Sequence, residues 1–260
     1  DRGASTRPVG VRHASGHILN ASSKALEMAG LLKPGVNHPG IPLGADGLPT
    51  GELYGPDAMT PVAGFVGYDR AMTDCDERGL LDYAKLCVRA GVTTSTDLAA
   101  RLTDESVSMM LDVTSRGRFP LRVVPLRVFF GMTPEECVAY VLELKEKSTD
   151  LLRLGRIKAV ADGSIQGFSA RMRWPGYHNG APNGLWYTPP EQMSELYNLA
   201  LAAGVQVHTH TNGDQATQMA LDVFEPAIRA NPSPDHRFTI QHCQLADAAQ
   251  FAKMGKLGMC

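Results

Sequence analysis

No apolar run in this chain of 260 residues approaches the ~20 needed for a membrane-spanning helix, so no membrane association is expected. No basic block occurs and the formal net charge is −2, which argues against a nucleic-acid partner. Cysteine is scarce. The five residues, Cys75, Cys87, Cys137, Cys243 and Cys260, are odd in number, widely scattered and form no CxxC pair. A disulfide framework is therefore not expected, and a reducing, cytoplasmic compartment is. Neither GxGxxG nor GxxxxGK[ST] is present, which removes the sequence basis for a dinucleotide or P-loop nucleotide site.

What is present is enough apolar material, 43% of residues, to bury a large core in one α/β barrel or two smaller domains. Residues 1–75 are rich in glycine and proline. SSKALEMAGLL (22–32) reads as one short amphipathic helix capped by serine. The turn signals that follow, NHPGIPLGADGLPTGELYG, suggest an inserted lid region over 1–75.

From residue 76 the pattern becomes regular. Helical stretches are expected at 78–91, at ESVSMMLDVTSRG, at 133–147, at 188–204, at 214–230 and at ADAAQFAKMG. Thr133, Pro134 and Glu136 form a capping-box start. Between these helices lie strands: GVTTSTDL, LRVVPLRVFF, RIKAVADGS, VQVHTHTN, FTIQHCQ and the beginning of another at KLGMC. The central Pro125 suggests a bulge or an edge. Such alternation implies a parallel sheet with right-handed crossovers. The fold class expected is α/β, with residues 76–260 forming part of a TIM-like barrel.

In such a barrel the chemistry sits at the C-terminal ends of the strands. Three strands end on, or carry, a residue of metal-ligand type: Lys158, His210 and His242. His208 and His210 share a strand face, with His210 nearer the top and His208 one layer deeper. Taken alone, each histidine could equally be satisfied by backbone or hydroxyl contacts. On adjacent strands about 4.8 Å apart, His210 and His242 could share one metal. A strand lysine pointing inward would have its ammonium disfavoured by burial. The alternative is a Lys158 stem crossing the barrel to pair with Asp162 or another carboxylate. Asp214 reads most simply as a helix N-cap, Asp97 as a structural carboxylate, and Cys243 as a packing residue.

The stretches SGHILNASSKALE, ADGLPTGELYG, AGVTTSTD, IKAVADGSIQG, GLWYTPPEQM, VQVHTHTNGDQATQMALDVFE and FTIQHCQL keep one order across nearly the whole chain. Together they resemble the amidohydrolase superfamily, in its amidohydrolase-3, YtcJ-like branch, which includes N-substituted formamide deformylase. The resemblance implies a (β/α)8 metal-dependent hydrolase barrel. It implies one or two divalent ions, zinc by expectation, held by Lys158 (carbamylated in the family), His210 and His242. Those three are the expected catalytic residues, and His17 would bind substrate from the lid region.

The family's first-strand His-x-His and eighth-strand Asp have no counterpart here. The chain is therefore expected to be an internal segment covering about strands two to seven. The activity implied is hydrolysis of C–N bonds in a small-molecule amide or N-substituted formamide by metal-bound hydroxide. Isomerase, deacetylase or lactonase chemistry on the same metal site is a related possibility. The alternative from another class is a catalytically inactive barrel serving as a ligand-binding or regulatory protein. Exposed sheet in a partial barrel would also favour a homodimer.

Overall fold

The computed structural model describes residues 6–68 and 76–260. Cys75 and the expected boundary at residue 75 lie outside the described residues.

Two sheets organise the described residues. The first is antiparallel, three-stranded and sequential: β1 (Gly10–Arg12), β2 (Ile18–Ala21) and β3 (Glu52–Tyr54). Two helices cover it. The first, α1 (Ser23–Met28), starts where the Ser22 hydroxyl accepts the Ala25 amide; the second is α2 (Gly55–Ala63). Leu19, Leu26, Leu53, Met59 and Val62 form their shared core. Strands of three or four residues are too short to carry a readable alternation, so the turn-rich sequence alone gave no sign of this sheet.

The second sheet is parallel and five-stranded, curled as half of a barrel. In order it holds β4 (Thr94–Ala100), β5 (Arg122–Val128), β6 (Arg156–Val160), β7 (Gln206–Thr211) and β8 (Thr239–His242). Helix α3 (Glu77–Arg89) precedes it. The crossovers carry α4 (Asp104–Ser115), α5 (Pro134–Glu146), α6 (Pro190–Ala202) and α7 (Asp214–Ala230), and α8 (Ala248–Leu257) follows. Helix starts follow side-chain chemistry. Asp76 accepts the Gly79 amide at 2.7 Å, and Thr133 and Glu136 complete the expected capping box.

Three details depart from the sequence reading. Pro125 lies in β5, an interior strand. A register shift in β4 between Asp97 and Ala100 lies opposite it, so a bulge is present and an edge is not. Asp214 is the first residue of α7, and Gly213 is its N-cap. In KLGMC, Lys256 and Leu257 belong to α8, which ends at Gly258 with φ +70°. Only the last residues run beside β8: the Cys260 amide donates to Phe238, and the Ile240 amide donates to Cys260.

Alternation along the strands decides what faces the site. Ile157, Ala159, Val207 and Ile240 pack into the helix-side core with Met193, Leu196, Tyr197 and Phe224. Thr209 meets the Tyr197 hydroxyl at 2.7 Å, and Thr211 meets Thr217 at 2.9 Å, on that same side. Lys158, His208, His210 and Gln241 therefore project to the concave face. Among the described residues, no helix is long and apolar enough to cross a membrane.

Candidate active site

A cleft of about 390 Å³ opens over the C-terminal ends of β6, β7 and β8. Its walls include Lys158, His210, Gln241 and His242 from the strands and His17 from the turn before β2. The four expected site residues thus share one cavity. The His210 ring lies 4.6 Å from that of His242 and 5.0 Å from that of His17, centroid to centroid. Tyr187 stands 5.5 Å from His17 on the other side.

His242 reaches the cleft by leaving the strand pattern. It pairs in register with Thr211, which faces the helices. Strict alternation after Gln241 would therefore send His242 the same way. Instead His242 has φ +72° and Cys243 has φ +47°, the left-handed region that non-glycine residues avoid. The turn swings the imidazole into the cleft and returns Cys243 to the helix-side core, where it packs as expected.

His210 is buried and its orientation is fixed. Its Nε2 lies 3.0 Å from the Gly163 carbonyl oxygen, which only accepts, so Nε2 carries the proton. Nδ1 is then the bare nitrogen. Burial, first of all, lowers its pKa to about 2 and keeps the ring neutral, the form that binds metals. Asn212 also donates to Gly163 oxygen, at 2.7 Å.

Beneath this pair the buried Asp162 accepts the backbone amides of Asn212, Gly213 and Arg171 at 2.8–2.9 Å, tying the long β6–α6 loop to the end of β7. Burial pushes its carboxyl up to about 6, against those three donors. Gly213 permits this approach, because a Cβ there would run into the Arg171 backbone.

Lys158 is 5% exposed, and burial lowers its pKa to about 7. It does not cross to Asp162. Its Nζ meets one end of the Gln241 side-chain amide, and the other end of that amide meets His208 Nδ1 at 3.1 Å. His208 is thus one layer deeper than His210 and acts on the cleft through Gln241. His17 is held near 4 by burial first, then by the charges of His242, Arg12 and Lys158. Asp97 caps its own turn by accepting the Ala99 amide at 3.1 Å and takes no part in the cleft.

Gln241, Asn212 and the Gly163 carbonyl are the site groups that sequence reasoning missed. Gln241 directly precedes His242 in FTIQHCQ, and its position on the inward face of β8 was the available signal.

The donor chemistry suits a divalent cation. Two neutral imidazoles adjoin a buried amine that no carboxylate among the described residues holds, and the outer nitrogen of His210 is already engaged by a carbonyl. It is an incomplete set. Among the described residues no three His, Cys, Asp or Glu side chains come together to hold a metal.

The amidohydrolase family pattern matches residues 1–260. The chain is 29% identical over 267 residues to protein LONG AFTER FAR-RED 3 of Arabidopsis thaliana, covering 96% of this chain and 44% of that protein. It is 27% identical over 259 residues to YtcJ of Bacillus subtilis (strain 168), which bears the amidohydrolase name, covering 95% of this chain and 45% of YtcJ. Two solved structures titled as uncharacterized metal-dependent hydrolases share the fold. The one from Pyrococcus furiosus aligns with a TM-score of 0.60 at 17% identity, over 99% of this chain and 50% of that one. The one from Pyrococcus horikoshii OT3 gives 0.61 at 19%, over 99% and 48%. The chain therefore spans about half the length of the relatives it matches. It belongs to the amidohydrolase family, in the amidohydrolase-3 branch to which YtcJ is similar.

Proposed function

We propose that this chain carries half of the active site of a metal-dependent hydrolase acting on C–N bonds of amides or N-substituted formamides. The observation that carries the reading is the convergence of Lys158, His210, His242 and His17 on one cleft at the strand ends. Lys158, His210 and His242 would hold the metal, zinc in this reading. A divalent ion bound there supplies a water acidified to about neutral pH and polarises a carbonyl.

The chain's own groups do the rest. Gly163 holds His210 in the tautomer whose Nδ1 is bare. Gln241 holds the Lys158 side chain in place. His17, kept neutral by its surroundings, offers a hydrogen-bonding nitrogen to the substrate from the opposite wall, beside Tyr187. The apolar lining from Met59, Leu98 and Phe130 suits the substituent on nitrogen and thins the water around the reacting bond.

The whole protein, in this reading, closes an eight-stranded barrel. This chain spans about strands two to seven, with residues 1–75 as its lid region and 76–260 as its barrel portion. Association as a homodimer belongs to the same proposal.

The test is amine release from N-substituted formamides and simple amides by the full-length, metal-loaded protein. The expected result is turnover that His210→Ala abolishes without unfolding the chain. Equal turnover in the variant, or none in the wild type across both substrate sets, contradicts the proposal. The second reading, an inactive barrel that binds a ligand, draws on the absence of a three-residue His, Cys, Asp or Glu cluster among the described residues. Ligand-induced stabilisation without turnover would favour it.

A further inference from the structure

Four polar side chains run from the bottom of the sheet to Lys158. Arg156 Nε donates to Gln206 Oε1 at 3.0 Å. Gln206 Nε2 donates to the Arg237 carbonyl at 2.9 Å. The same nitrogen lies 2.8 Å from His208 Nε2. His208 Nδ1 lies 3.1 Å from the Gln241 amide, whose other end touches Lys158 Nζ. The register makes the chain possible, since Arg156 pairs with Gln206, Lys158 with His208 and His210 with Gln241.

Donor and acceptor accounting gives this chain a direction. A guanidinium can only donate and a carbonyl can only accept. Gln206 is therefore fixed at both ends: its oxygen faces Arg156 and its NH2 faces Arg237. The second hydrogen of that NH2 points at His208 Nε2, which must accept. A neutral imidazole that accepts at Nε2 carries its proton on Nδ1 and donates from there. The Gln241 atom facing Nδ1 must then be the oxygen. Oxygen and nitrogen of a glutamine amide are assigned from their partners, and the partners here require the NH2 of Gln241 to face Lys158. The opposite direction, with Lys158 donating to Gln241, would leave two N–H groups facing each other at Gln206 and His208, inside a partly buried layer.

We propose that Gln206, His208 and Gln241 are positioning residues. They form a polarised hydrogen-bond chain, anchored at Arg156, that presents an N–H donor to Lys158. The inference takes the role of Lys158 from the proposed function, while the chain's direction stands on the geometry alone.

Nitrogen-15 NMR of histidine-labelled protein tests it, with the His208 signals assigned by their loss in His208→Phe. The expected wild-type result is the Nδ1–H tautomer. In Gln206→Glu a carboxylate replaces the donor at Nε2, and the expected result is a shift to the Nε2–H tautomer. A merely structural contact would not exchange the two nitrogen signals in this way. An Nε2–H tautomer in the wild type overturns the proposal, as does an unchanged Nδ1–H tautomer in folded Gln206→Glu. If that variant does not fold, the wild-type tautomer decides. A protein with the Nδ1–H form but neither metal nor turnover keeps the chain and loses the hydrolase reading. One with metal and turnover but the Nε2–H form does the reverse.

Discussion

Lys158 shows most directly how burial sets chemistry at a single residue. Its ammonium would be desolvated and faced by no carboxylate among the described residues, so its pKa falls to about 7 from an ordinary 10.5. The linkage sign follows. Below about pH 7 both folded and unfolded chains carry the proton, and the folded state bears the full cost of the buried charge. Between 7 and 10.5 the unfolded chain holds more protons, so stability rises with pH across that window. In chelator-treated protein, Lys158→Met is expected to be the more stable variant at pH 6, by a few kcal/mol, with the gap closing toward pH 10.5. Urea midpoints at three pH values read this. A wild type that gains no stability relative to Lys158→Met between pH 7 and 10.5 would remove the buried-amine account.

The site residues were legible to different degrees, for physical reasons. Lys158 and His210 stood out because a polar residue at an inward strand position has few structural uses. Asn212 and Gly163 did not, since their part is played by a short amide and a backbone carbonyl, which leave no pattern in sequence. Asp214 was misjudged as a cap. The preceding Gly213 takes that place because the Arg171 backbone packs against it, and the Asp214 side chain, one position into the helix, accepts the Arg173 and Gln215 amides at 2.9 Å.

Among the elements, β8 ends irregularly. Its last residue and the next hold left-handed backbone in order to aim an imidazole against the strand's own alternation. Strain of this kind costs about 1–3 kcal/mol per residue and persists where the surroundings enforce it. His242→Gly should relieve it. The expected outcome is a gain of about 1 kcal/mol in urea denaturation, partly offset by the greater freedom of glycine in the unfolded chain, together with loss of metal from the cleft. A variant that is destabilised and still binds metal as the wild type does would mean that the turn is not held for the ligand.

Long helices with side-chain caps, such as α5 with Thr133 and Glu136, were readable from sequence because their signals are local. The three-stranded sheet of β1, β2 and β3 was not, because its strands are short and its pairing bridges residues 21 to 52. In KLGMC the pairing beside β8 begins only at Cys260, because α8 continues to its cap at Gly258.

At the scale of the molecule, a five-stranded parallel half-barrel supplies three adjacent strand ends and a small antiparallel unit supplies His17. The arrangement gives one cleft with three neutral imidazoles, a buried amine and no carboxylate lining it among the described residues. A chain spanning about half the length of its relatives can hold part of a metal site, and the central claim is that it does. The most direct measurement is metal content by mass spectrometry on the purified protein and on His210→Ala, after dialysis against zinc and removal of excess. The account predicts one or two zinc ions per wild-type chain and a loss in the variant. No metal in the wild type, or the same content in both, would contradict it.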